Sequence, residues 1–282
     1  MRVLWAIFSA VILFSQEPGF AEEKAALARK PRHGGVYVVA HRGVHDGIPE
    51  NTLAAYRKAI ELGADFVEVD LRETKDGHIV SIHNSTVDAY TKDYQGPVKA
   101  FTLAELQAMD IGSRVGPEWA DERIPTFDEI LDLCRGRIGI YLDLKNAPIA
   151  KVLDMIRARG MEKDVLWYAG PAQLREVAER CQDCVIMPDP GPESLLPRVL
   201  EMFRPRVVAS VWKHFSESFA KTCHEAGAIA VVDDGGPETW AKMLAWGVDG
   251  IQTDHVAALI TLLQQRAEGT PACDTDTASL TP

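Results

Sequence analysis

The chain has no run of lysine or arginine, and its charge leans the other way. Its 282 residues carry 30 basic against 41 acidic side chains, a net of −11. A nucleic-acid ligand needs a basic face to meet its phosphates, so that class is set aside. A small anionic ligand requires a local basic cluster or a metal, because the field of the whole molecule opposes it. Long apolar runs are also missing. The stretch "VLWAIFSAVILF" at 3–14 falls short of the ~20 residues that cross a bilayer, and nothing else approaches that length. Preceded by Arg2 and followed by small residues at Gly19 and Ala21, it reads as a cleavable signal over residues 1–21. That places the mature protein in the periplasm or outside the cell, without a stable membrane span. Cysteine is scarce, at five residues. Cys181 and Cys184, in C-x-x-C spacing, suit a local disulfide in an oxidising compartment better than a redox centre. Without a second pair they make only half a zinc site.

What is present alternates. Apolar, β-branched runs fall at 36–40, 65–71, 79–83, 138–144, 165–169, 185–188, 207–212, 229–233 and 250–254. Helical patterns sit between most of them, several opening on Thr or Ser and closing on Gly. Strand–helix alternation at this length predicts a parallel sheet, and eight such units predict an α/β (β/α)8 TIM barrel. Nine runs are one too many. The link "RETKDGH" is too short for a parallel crossover and contains the turn pair Asp76-Gly77, so residues 66–83 read as a β-hairpin extension after strand 2. The barrel is then expected over 36–265. Residues 22–35 form an amino-terminal extension, 84–137 an excursion with two short helices near the site, and 266–282 a disordered tail rich in Thr, Asp and Pro.

Chemistry collects where strands end. His41 and Arg42 follow the first strand; Glu68 and Asp70 alternate on the second and so share a face; His83 ends the hairpin's return arm; Asp143 and Lys145 alternate after "IYL". In a barrel the carboxyl ends of the strands meet at one face, where active sites are built. Three carboxylates aimed into one mouth repel unless a cation sits among them, and an oxygen-only set favours Ca²⁺ or Mg²⁺. Arg42 and Lys145 are the anion binders, and the two histidines suit acid–base work near neutral pH. His45 and Asp46 read as loop residues, and Asp254 as a residue that orients another. Trp212 ends a strand and is a further candidate for the pocket wall.

The motifs "AHRG" (40–43), "PENT" (49–52), "GADFVEVD" (63–70), "TKDG" (74–77) and His83 together resemble the glycerophosphodiester phosphodiesterase family, within the PI-PLC-like phosphodiesterase superfamily. "FTLAEL" (101–106), "RIPTFDEIL" (123–131) and "GVDGIQTD" (247–254) extend the resemblance over roughly 36–258. It implies a metal-dependent barrel that cleaves glycerophosphodiesters to glycerol phosphate and an alcohol. By resemblance His41 and His83 are the catalytic pair, Arg42 binds phosphate, Glu50 is a site-facing carboxylate, Glu68 and Asp70 are metal ligands, and Lys145 lies beside the third ligand.

This chain departs from the family pattern at three places. Asn84 follows His83 where the family usually has Asp; Asp143 stands where it usually has Glu; and "AVVDD" (230–234) replaces a Trp-Thr-Val-Asn stretch. The last brings Asp233 and Asp234 toward the site and leaves the alcohol half of the substrate open. A sphingomyelinase D-like or phospholipase C-like lyase that forms a cyclic phosphate is the alternative activity. A catalytically dead phosphodiester-binding protein is the alternative class.

Overall fold

The computed structural model describes residues 27–269, so the apolar segment at 3–14 and the tail beyond 269 lie outside the described residues. Nine strands form one sheet: β1 (Tyr37–Ala40), β2 (Phe66–Glu73), β3 (Ile79–Ser81), β4 (Gly139–Leu144), β5 (Val165–Tyr168), β6 (Val185–Ile186), β7 (Val207–Val211), β8 (Ile229–Asp233) and β9 (Gly250–Thr253). Eight of them run parallel in the order β6-β5-β4-β2-β1-β9-β8-β7, a nearly closed (β/α)8 barrel. Across the remaining seam, Ala209 N–H donates to the Pro188 carbonyl at 3.0 Å. β3 pairs antiparallel with β2, Leu71 opposite Ser81, which confirms the hairpin.

Strand periodicity sorts the residues into two layers. Val38, Ala40, Val67, Val69, Leu71, Ile140, Leu142 and Leu144 point outward and pack under the helices. Tyr37, Val39, Phe66, Tyr141, Leu166, Val207, Ala209, Ile229 and Val231 point inward and fill the barrel's lower interior. Extending the inward set toward the carboxyl ends changes its character. After Phe66 come Glu68 and Asp70; after Tyr141, Asp143; after Val231, Asp233. The floor is apolar and the rim is charged.

The helices are α1 (Leu53–Leu62), α2 (Leu103–Ala108), α3 (Phe127–Cys134), α4 (Ile149–Arg157), α5 (Pro171–Arg180), α6 (Leu196–Phe203), α7 (Glu217–Glu225), α8 (Pro237–Ala245) and α9 (Val256–Ala267). Thr52 caps α1 through a bond to the Ala55 amide, and Gly63 closes it in the left-handed region. Thr102 and Thr126 each form a capping box with the glutamate three residues on.

Two expectations change here. The span 84–137 is not one excursion. Phe127, Ile130, Leu131 and Cys134 of α3 are buried in the main core, so α3 is the barrel's own crossover helix between β2 and β4. Only the part before it, with α2, builds a separate apolar cluster around Val87, Tyr90, Leu106 and Ile111. The final helix, α9, was not anticipated, although Val256, Leu259, Ile260 and Leu263 bury at helical spacing. Cys181 and Cys184 are joined by a disulfide at the end of α5, while Cys134 and Cys223 are buried free thiols.

Candidate active site

A cavity of about 240 Å³ opens at the carboxyl ends of the strands. His41, Arg42, Glu68, Asp70, His83, Asp143, Lys145 and Asp233, all singled out from the sequence, line it together. A larger groove of about 490 Å³ lies at the opposite end of the barrel, beside the disulfide, Lys163 and Arg206, and no histidine lines it.

The turn after β1 does most of the positioning. Arg42 and Asn51 both adopt left-handed backbone, with φ of 53° and 55°, a conformation non-glycine residues hold only when their surroundings enforce it. Asn51 N–H donates to the Arg42 carbonyl at 2.9 Å, tying the two together. The turn aims Arg42 N–H at Glu68 Oε2, 2.8 Å away, and Asn51 Nδ2 donates to Asp70 Oδ2 at 2.9 Å. Tyr56 and Ser81 hydroxyls each donate to Asn51 Oδ1 at 2.8 Å, so the amide's orientation is fixed from both sides. The Arg42 guanidinium donates to Glu50 at 3.3 Å, and Tyr90 donates to the same carboxylate at 3.2 Å. Glu50 therefore acts through Arg42. Burial opposes the Arg42 charge, but Glu50, Asp70 and Glu68 more than offset it and keep the guanidinium protonated.

Glu68, Asp70 and Asp143 bring carboxylate oxygens within 4.8 Å of one another. Glu68 is 3% and Asp70 0% exposed. Burial, then Asp70 and Asp143, push the Glu68 carboxyl well above its usual range; burial likewise raises Asp143. Lys145 Nζ meets Asp143 Oδ2 at 2.5 Å and Asp70 Oδ1 at 3.1 Å. Lys145 and the Arg42 guanidinium, its Nε 3.9 Å from Asp70 Oδ2, set two cations against three close carboxylates and leave the cluster short of positive charge. An oxygen-only, buried donor set of this kind fits a hard divalent cation.

The imidazoles are oriented differently. His41 Nδ1 lies 2.7 Å from Asp254 Oδ1, and His45 Nε2 lies 3.0 Å from the same oxygen. The two histidines hold the Asp254 carboxyl far below its usual range, and Asp254 in turn raises His45. Asp254 thus orients His41, and the loop residue His45 shares its carboxylate. His83 Nδ1 faces Asn84 Oδ1 at 3.0 Å, while its carbonyl accepts from Arg72 Nη2 at 2.6 Å.

Trp212 does not line the cavity. Its ring stacks on Trp246, 5.4 Å between centroids, and only its neighbours Ser210 and Val211 reach the lining. Tyr141, Tyr168, Asp189 and Gln252 face the cavity and were missed. Their signal was parity: each continues the inward-facing positions of its strand, two residues past an apolar one or just beyond the strand's end.

Residues 41–169 match the model of the Glycerophosphoryl diester phosphodiesterase family. Over this stretch, somewhat under half of its length, the chain is similar to that family. A glycerophosphodiester phosphodiesterase of Caldanaerobacter subterraneus subsp. tengcongensis is 51% identical over 96 residues, which is 34% of this chain and 39% of that protein. The chain spans about half or less of the curated relatives it matches first. Among solved structures, a glycerophosphodiester phosphodiesterase from Agrobacterium tumefaciens superposes with a TM-score of 0.70 at 26% identity, covering 80% of this chain and 99% of that one. An Oleispira antarctica phosphodiesterase, solved with sn-glycerol-3-phosphate, superposes at 0.73 with 24% identity, covering 83% and 97%. The matched stretch contains Glu68, Asp70 and Asp143 and both lining histidines. Asp189, Asp233, Gln252 and Asp254 lie beyond it.

Proposed function

We propose that this protein hydrolyses a glycerophosphodiester to sn-glycerol phosphate and an alcohol, with His41 and His83 as the proton-transfer pair. One observation carries the reading: two imidazoles, two cationic side chains and three clustered carboxylates share a single cavity. Glu68, Asp70 and Asp143 would hold Ca²⁺ or Mg²⁺, which when bound supplies Lewis-acid neutralisation of the phosphodiester charge. Arg42 presents a forked donor to the phosphate oxygens, its orientation set by Glu50. Lys145 adds a second positive charge on the β4 side.

The histidine roles follow from their supports. The Asp254 carboxylate fixes the His41 proton on Nδ1, leaves Nε2 to accept one, and stabilises the imidazolium that results. His41 is therefore the base on the nucleophile, either a neighbouring substrate hydroxyl or water. Asn84 offers His83 only a neutral oxygen acceptor, so a protonated His83 gains no ion pair from it. His83 is the acid that protonates the departing alkoxide.

The test is turnover of a glycerophosphodiester panel with Ca²⁺ or Mg²⁺ by wild type, His41→Ala and His83→Ala. Each variant should lose about 10²-fold or more in kcat. Near-wild-type turnover by His41→Ala would refute the assignment, and phosphorus NMR of the products separates attack by water from attack by a substrate hydroxyl.

A further inference from the structure

The cavity has two unlike walls. On the β1–β2–β4 side Arg42 and Lys145 face in beside the cation cluster. On the β5–β6–β8–β9 side the polar lining comprises Tyr168, Asp189, Asp233 and Gln252, with Ser210 beside them. Among the described residues no lysine or arginine makes an ion pair with Asp189 or Asp233. Asp189 accepts from the Tyr168 hydroxyl at 3.2 Å and from the Gly191 amide at 2.6 Å, which holds its carboxylate in place. Burial raises the Asp233 carboxyl, and the nearby His41 and Gln252 side chains oppose that rise. Gln252 is only 6% exposed, and its Oε1 is a buried acceptor with no partner. A buried polar atom of this kind costs free energy until a donor reaches it.

Three acceptor groups therefore line the wall opposite the phosphate binders. The charge balance agrees. Five carboxylates line the cavity against two permanent cations. A divalent ion and a diester monoanion together relieve that excess by one charge only. Asp189, Asp233 and Gln252 lie outside the stretch that matches the family.

We propose that Asp189, Asp233 and the Gln252 carbonyl form a subsite for a primary ammonium on the alcohol half of the diester. The inference rests on the cavity being a phosphodiesterase centre and adds its substrate class. A primary ammonium supplies both things the acceptors of this wall call for, positive charge and hydrogen-bond donors. A quaternary ammonium supplies only the first, and a polyol only the second.

The experiment compares kcat/KM for glycerophosphoethanolamine, glycerophosphocholine and glycerophosphoglycerol. Wild type should favour the ethanolamine diester over the glycerol diester by about tenfold or more, with choline between them. Asp233→Asn keeps the shape and removes the charge, and should bring the ethanolamine-to-glycerol ratio toward one. Gln252→Leu should lower the ethanolamine diester relative to the choline diester. Equal wild-type efficiency on all three diesters overturns the subsite while leaving the phosphodiesterase reading intact. A uniform loss on all substrates in Asp233→Asn also overturns it, assigning Asp233 to His41 instead. No turnover of any diester overturns both readings.

Discussion

At the scale of single residues, Asp254 and His45 decide how His41 behaves. Exchanging Asp254 for Asn removes the carboxylate that His41 Nδ1 faces at 2.7 Å and lets the amide present a donor to Nδ1. The Asp254→Asn variant should keep the fold and lose about 10²-fold in kcat, with KM changed far less. His45 has a different signature. Its hydrogen bond to Asp254 raises its proton affinity, outweighing burial and the opposing charge of Arg42, with Glu50 assisting. A raised native value stabilises the fold fully below the ordinary imidazole value of 6.5 and loses that effect as pH climbs through the native one. His45→Gln should therefore lower Tm by roughly 2–4 °C at about pH 5.5 and by less at about pH 9, read by thermal melts at both. The residues that face the cavity from β1, β2 and β4 were legible because charge at a strand's end is conspicuous in an apolar run. Tyr168 and Gln252 were not, since an isolated Tyr or Gln in such a run looks like packing until the parity of all strands is laid side by side. Trp212 misled for the converse reason. A large aromatic at a strand end reads as a pocket wall, but its ring found a stacking partner in Trp246.

At the scale of elements, the turn after β1 and the β6–β7 seam are the sensitive places. Gly43 has φ of 81°, and a Cβ there would sit 2.7 Å from the Ala55 Cβ and 2.9 Å from the Ala55 carbonyl carbon. Backbone and helix α1 cannot both give way without moving Asn51. Gly43→Ala should cost about 2 kcal/mol or more of stability by denaturant unfolding, and activity should fall with it. β6 has two residues, and one backbone bond spans its gap to β7. Native-state hydrogen exchange should show the amides of β6 opening before those of β2 and β4, which pair along six residues. Strand positions were legible along the whole chain because β-branched runs punctuated by Gly and polar loops leave little ambiguity. The role of α3 was not. A capped amphipathic helix reads the same whether it packs on the barrel or on a satellite cluster, and the hairpin before it hid the crossover.

For the whole molecule, the net charge of −11 and the close carboxylates of the site pull in one direction. A divalent ion that binds only the folded protein stabilises it by about 2.7 kcal/mol at a hundred times its Kd. Added Ca²⁺ or Mg²⁺ should raise Tm measurably, a chelator should reverse the shift and abolish turnover, and Asp143→Asn should blunt the thermal response. The fold class followed from counting alternations, and the cation cluster from carboxylates at strand ends. The asymmetry between the two walls did not, because it depends on which strand stands opposite which.

A separation of tasks is built into this geometry. The side chains that hold the barrel shut belong to the outward and lower positions, and those that line the cavity stand near or just past the carboxyl ends of the strands. Exchanges at 189 and 252 leave the hydrophobic layers untouched, so that side of the cavity can be rewritten without repacking the barrel.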